Sequence, residues 1–126
     1  MNIVYFVTED SYFLSHRLPI ALHAQKLGHK VFVVTKLTDK KKEIEDYGFT
    51  LVALNLARTT FNVIDEILLL ITLIKVFRKI SPHIIHNVAI KPIILGSIAS
   101  LFCRKVKIVN AFTGMGFLFT SKLSFK

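Results

Sequence analysis

Ile3-Val4-Tyr5-Phe6-Val7-Thr8-Glu9-Asp10-Ser11-Tyr12-Phe13-Leu14-Ser15-His16-Arg17-Leu18-Pro19 opens the chain and sets its architecture. The apolar run Ile3 to Val7 reads as a first strand buried on both faces, the pattern of a parallel sheet. The next residues gather two carboxylates, hydroxyls, a His and an Arg where a helix must begin. In open α/β sheets ligands bind where strands end and helices start. This segment therefore reads as a binding surface, with Glu9, Asp10, Ser15, His16 and Arg17 as its candidate residues.

Downstream the pattern alternates. Helix one is expected from near Ser15, with Pro19 tolerated in its first turn and Gly28 at its end. Val31 to Val34 reads as strand two, Lys40 to Tyr47 as a charged helix stopped by Gly48, and Thr50 to Leu54 as strand three. Asn62 is expected to cap a long helix to about Ile80, with Pro82 just beyond. Ile84-Ile85-His86 reads as strand four, Pro92 to about Phe102 as a helix, and Val106 to Val109 as strand five. Strands alternating with helices predict a doubly wound, Rossmann-like parallel α/β sheet of about five strands in one domain.

At 126 residues the chain has material for one core. Mean hydropathy is +0.54, high for a small domain, and the isoelectric point is near 9.9. A formal charge of +9 favours anionic partners: nucleic acid, an anionic membrane face or a phosphorylated ligand. Cys103 is the only cysteine, which excludes a disulfide framework and a cysteine metal cluster and predicts a buried, inert thiol. Met1-Asn2 carries no basic flank and the first apolar run breaks at Glu9-Asp10, so no secretory signal is read, in keeping with a cytosolic setting.

The Asn62–Ile80 segment has Asp65-Glu66 in its first turn and Lys75, Arg78 and Lys79 in its last, both complementing the helix dipole. On a 3.6-residue wheel Asp65, Thr72, Lys75 and Lys79 make one narrow polar stripe. A surface helix needs an apolar stripe of only about 100°, so this helix is over-provided. Either it is a deeply buried crossover, or its extra face meets another domain or a membrane surface, with Lys75, Arg78 and Lys79 reaching lipid phosphates.

Three strand ends should converge on one site: Thr8 to His16, His86-Asn87 into Lys91, and Asn110 to Gly116. His86 and His16 are the candidates for proton handling or for binding sugar hydroxyls. Lys91 and Pro92 sit at a helix start, where free N–H groups favour an anion. Gly114 and Gly116 permit close backbone approach, but lack the third glycine of a dinucleotide fingerprint. Glu9 and Asp10 form a carboxylate pair for acid–base or metal work, or a solvated loop with Asp10 capping. A phosphoacceptor receiver would need an Asp at the end of strand three and a Lys after strand five, where this chain has Leu54-Asn55-Leu56 and Asn110-Ala111. No Gly-x4-Gly-Lys loop is present, which argues against an autonomous ATPase.

Phe6 to Pro19, His86-Asn87-Val88-Ala89-Ile90-Lys91-Pro92 and Asn110 to Ser121 together resemble the amino-terminal domain of bacterial glycosyltransferase family 4 enzymes, in the branch that builds O-antigen and capsule. The resemblance covers essentially the whole chain. It implies half of a two-domain GT-B enzyme: the acceptor-binding half of a retaining hexosyltransferase. Such an enzyme moves a hexose from a nucleotide sugar to a polyprenyl-diphosphate-linked saccharide at the inner face of the cytoplasmic membrane. The double glycine that many relatives carry after strand one is replaced here by Glu9 to Ser15. The carboxy-terminal donor domain is not in the sequence, so the chain is expected to bind no cofactor or metal, to be inactive alone, and to need a donor half in cis or trans. The resemblance carries acceptor or sugar positioning onto His86 and His16, a phosphate-facing role onto Lys91, and cleft lining onto Asn110, Thr113 and Gly114. Nucleic acid is not an expected partner in this reading. The alternative is a non-enzymatic basic adaptor for a membrane surface or nucleic acid.

Overall fold

A computed structural model of the protein describes residues 1–54 and 63–111. Its elements follow one another as β1 (Asn2–Glu9), a first helical turn α1 (Asp10–Tyr12), a π-helical turn (Phe13–Arg17), α2 (Leu18–Lys26), β2 (Lys30–Lys36), α3 (Lys41–Asp46), β3 (Thr50–Ala53), α4 (Val63–Ile80), β4 (Ile84–Val88), α5 (Ile90–Ser100) and β5 (Lys107–Ala111). The five strands are all parallel, in the order β3-β2-β1-β4-β5. This is the doubly wound sheet expected from the sequence. The winding direction reverses between β1 and β4, which makes their carboxyl ends the switch point where such folds hold ligands.

The central strand divides the core by parity. Ile3, Tyr5 and Val7 face α2 and α3 with Phe13, Ala21, Val33, Ile44 and Val88. Val4 and Phe6 face α4 and α5 with Val34, Leu73, Phe77, Ile85, Leu95 and Ala99. α5 lies so close to the sheet that a Cβ at Gly96 would collide with the Asn87 amide. A glycine is the only residue that leaves Asn87 where it stands.

Several boundaries differ from the sequence reading. Helical structure begins at Asp10, five residues before the expected start at Ser15. Pro19 has no N–H to return to the Ser15 carbonyl and its ring crowds that turn. The widened π-turn over Phe13–Arg17 absorbs the defect, and α2 restarts at Leu18 with the proline in its first turn. Likewise α5 starts at Ile90, ahead of Pro92, after Ala89 takes a left-handed φ of 80°. β1, β2, β4 and β5 run two residues past the carboxyl ends of their expected apolar runs, because backbone pairing tolerates polar residues at strand ends. By contrast, β3 stops at Ala53, one residue short of its expected end, and β5 begins at Lys107, one residue late. The Asn62 cap expected for α4 lies outside the described residues.

The long helix is not deeply buried. Leu73 and Phe77 are sealed in the core, yet Ile64 is 67% and Leu68 55% exposed, as are Val63, Ile67 and Ile71 to similar degrees. On α5, Ile90, Ile94 and Ile98 are exposed too. The two helices are joined across their amino-terminal turns by a Lys91–Glu66 ion pair of 2.9 Å. Cys103 is half-buried, with burial pushing its thiol pKa up and Arg78 opposing that weakly.

Asp10, wholly buried, ties the end of β1 to the β2–α3 connection. Its Oδ1 accepts from the Ser11 N–H at 2.8 Å and the Thr38 hydroxyl at 2.6 Å. Its Oδ2 accepts from the N–H groups of Thr38 at 2.9 Å and Lys40 at 3.0 Å. Burial pushes this carboxyl up, but those bonds outweigh it and hold the pKa below the ordinary value. A carboxyl so depressed contributes stability that is complete above its unfolded pKa of about 3.9 and is lost as pH falls toward its folded value. Asp10→Asn replaces an acceptor by a donor facing N–H groups. It is expected to cost about 3 kcal/mol near neutrality and to flatten the acid limb of a urea-denaturation stability profile. A variant with an unchanged acid limb would remove Asp10 from this role.

Candidate functional site

The site is built from the π-turn and the two strands at the switch point. β1 and β4 pair in register with Tyr5 opposite His86 and Phe6 opposite Asn87. By strand parity Tyr5 and His86 share the face toward α2, two residues below the end of β4. Their rings stack with centroids 5.2 Å apart. Tyr5 also meets Phe13 edge to face at 5.8 Å, so the ring that supports His86 is itself wedged by the π-turn.

Arg17, the last residue of the π-turn, reaches this pair. Its charge acts on both Tyr5 and His86. Among the described residues, His86 Nε2 and Arg17 Nε are buried nitrogens without a hydrogen-bond partner. Orphaned polar atoms of this kind are rare in folded proteins and cost free energy unless something binds them. Burial lowers the His86 pKa below the ordinary imidazole value, and the Arg17 charge lowers it further. The ring is therefore neutral at pH 7 and presents one donor and one acceptor nitrogen. A neutral imidazole beside a fixed guanidinium can accept a proton or hydrogen bond from a hydroxyl while the cation meets negative charge.

The other sequence candidates are spread over several surroundings. Ser15 and His16 are exposed and adjacent: Ser15 Oγ lies 2.6 Å from His16 Nδ1, and the His16 ring stacks on Tyr12 at 4.1 Å. His16 thus packs on its own helical turn, while Arg17 turns inward. Glu9 closes β1 opposite Lys36. Asp10 and Asn87 lie inside the protein. Asp10 spends both oxygens on the clasp described above, and Asn87 is buried beneath α5, donating its amide to Asn110 Oδ1 at 3.0 Å. Lys91 reaches α4 through Glu66, where a phosphate-facing position was expected. Thr113, Gly114 and Gly116 lie outside the described residues. Among the described residues no group of three or more His, Cys, Asp or Glu side chains could hold a metal ion.

Tyr5 and Thr38 are the residues missed from the sequence. Tyr5 reads as one more core residue of strand one, and only the β1–β4 register sets it under His86. Nothing near Thr38 marks it as the partner of a carboxylate 28 residues earlier.

The carboxyl ends of strands one, four and five lie side by side, since β4 lies between β1 and β5 and the Ala89 N–H donates to the Ala111 carbonyl at 3.0 Å. The expected site segment beyond Ala111 lies outside the described residues. Compared with known proteins, residues 2–126 match a family profile described as glycosyl transferase 4-like. No curated protein matches significantly in sequence. Among solved structures the fold is similar to a glycosyltransferase from Rickettsia africae (TM-score 0.72, 13% identity, 95% of this chain and 34% of that one). It is also similar to MurG from Acinetobacter baumannii (TM-score 0.67, 8% identity, 86% and 34%). A third likeness, to the C-terminal domain of the PF1911 hydrogenase from Pyrococcus furiosus (TM-score 0.60, 13% identity, 86% and 88%), shows how widely the fold is used. At these identities the likeness is one of fold. The chain spans about a third of the length of the two enzymes.

Removing the Arg17 charge is expected to raise the His86 pKa toward the ordinary imidazole value without reaching it, since burial remains. An NMR titration of the His86 ring in Arg17→Gln checks this, and an unchanged midpoint would separate the two side chains.

Proposed function

The chain belongs to the glycosyl transferase 4-like family, and from that premise we propose that it supplies the acceptor side of a sugar transfer. The observation that carries this reading is the pair of orphaned buried nitrogens on His86 and Arg17 at the switch point. His86 would hold the attacking hydroxyl of the acceptor, and Arg17 would meet an anionic part of a substrate. The exposed Ser15–His16 pair at the rim would contact acceptor sugar hydroxyls. With Lys91 engaged by Glu66, Arg17 takes over the anion-facing role that the sequence suggested for Lys91.

The nucleotide sugar would be held by a second Rossmann-like domain, in cis or in trans. Transfer is read as retaining: the bond from the sugar's anomeric carbon to the leaving phosphate oxygen breaks, the acceptor oxygen bonds to that carbon on the same face, and the acceptor proton leaves with the phosphate. The acceptor is read as a polyprenyl-diphosphate-linked saccharide and the transferred group as a hexose, in the synthesis of a cell-surface polysaccharide such as O-antigen or capsule.

A lipid-linked acceptor places the domain at the inner face of the cytoplasmic membrane. Among the described residues no helix is long and apolar enough to cross a membrane. The outward faces of α4 and α5 suit peripheral contact instead. Val63, Ile64, Ile67, Leu68 and Ile71 are exposed on α4 and Ile90, Ile94 and Ile98 on the neighbouring α5, and the exposed Lys75, Arg78 and Lys79 follow toward the end of α4. Apolar side chains entering the interface with flanking cations toward lipid phosphates is the usual physics of such contacts.

Two experiments test these readings. Calorimetric titration with a polyprenyl-diphosphate-linked saccharide in detergent should show saturable binding, weakened at least tenfold by His86→Ala and by Arg17→Gln. Equal affinity in all three proteins would remove the site from acceptor recognition. In vesicle flotation the protein should float with anionic vesicles in low salt, and Ile67→Ser/Ile71→Ser should reduce recovery about tenfold or more. Equal recovery with neutral and anionic vesicles would eliminate the electrostatic contribution.

A further inference from the structure

At the edge of the sheet opposite the switch point, α4 and α5 both end, and their connections run side by side into β4 and β5. The Lys107 N–H donates to the His83 carbonyl at 3.0 Å, which holds the two connections together. Between them lies a cavity of about 500 Å³. Phe77 from the core and the exposed Phe102 give it apolar walls, and four nitrogen-bearing side chains, Arg78, His83, Arg104 and Lys105, also line it. No carboxylate is among its lining residues.

Carbonyl capping does not account for these cations. A basic residue at a helix end commonly serves the last free carbonyls, but here most of those carbonyls accept from other donors. Phe77 O accepts from the Ser81 N–H at 2.9 Å and Arg78 O from the Ser81 hydroxyl at 3.3 Å. Ile98, Ala99 and Ser100 accept from the N–H groups of Leu101, Phe102 and Cys103 at 3.0–3.1 Å. Among the described residues no ion pair joins Arg78, His83, Arg104 or Lys105 to a carboxylate. His83 is oriented as well. Its Nδ1 accepts the Asn2 N–H at 2.9 Å, which leaves the ring proton on Nε2 as a donor.

Two guanidinium forks, an ammonium and an imidazole donor around one cavity match the several oxygens of a phosphate. We propose that this cavity, formed where α4 and α5 run into β4 and β5, is a phosphate-binding site distinct from the acceptor crevice. Its ligand class is a phosphate monoester or diester, and the two phenylalanines admit an apolar body attached to it. The site stands apart from the acceptor crevice, since it uses none of the switch-point residues; Arg78 is shared with the cations proposed to face lipid.

The test follows the His83 ring resonances of the full chain by NMR at constant ionic strength. Inorganic phosphate is expected to move them saturably, with chloride at the same ionic strength producing no such shift. Arg104→Gln/Lys105→Gln should weaken the apparent affinity at least tenfold, and Arg78→Gln should weaken it independently from the other wall. A parallel titration uses dihexanoyl phosphatidylglycerol below its micelle concentration. Tenfold tighter binding of this lipid than of phosphate assigns the site to a lipid headgroup, and equal or weaker binding assigns it to a soluble phosphate. Absence of a saturable shift with both ligands, or shifts unchanged in both variants, overturns the proposal.

Discussion

The carboxylate of Asp10 is the constraint on which the switch point depends. Four hydrogen bonds converge on its two oxygens, and three of them join the end of the central strand to the start of α3 across the top of the sheet. With that corner closed, helical structure must start at Asp10 itself. The proline nine residues on then has to be accommodated within the helix. The result is the π-turn, whose last residue, Arg17, is delivered to the sheet beside His86. A chain starting its helix at Ser15 would place this guanidinium elsewhere.

His86 is held from the other side by an equally indirect chain of contacts. Its partner Tyr5 is fixed by strand pairing to β4 and by edge-to-face packing on Phe13. The same burial that anchors the stack strips water from the imidazole, and the neighbouring positive charge acts in the same direction. Both effects favour the neutral ring. Positioning and proton affinity are thus set together by one packing arrangement.

The two ends of the α4–α5 layer have different chemistry. Near the switch point the outer face is apolar, with Glu66 and Lys91 neutralising each other in the seam. Toward the far edge the side chains are cationic and surround a cavity. An 18-residue helix is about 27 Å long, so a lipid-facing surface and a phosphate-sized cavity fit along one helix without overlapping the crevice.

Local pattern carried much of the architecture. The β-branched runs, the glycine stops at Gly28 and Gly48 and the three prolines outside strand interiors determined a five-stranded doubly wound sheet, because periodicity and turn chemistry act within a few residues. The pattern also marked His86, His16 and Arg17 as chemically costly residues near strand ends. It did not say which would meet. Ser15 and His16 share a helical turn and stay at the surface, whereas Asp10 and Asn87 sink into hydrogen bonds with residues 28 and 23 positions away. Lys91, placed by sequence at an anion-binding helix start, finds Glu66 on the neighbouring helix. Those outcomes depend on strand register, on the extra residue absorbed by the π-turn and on which helices lie side by side. Each is set by contacts between segments distant in the chain, so only the tertiary structure decided them.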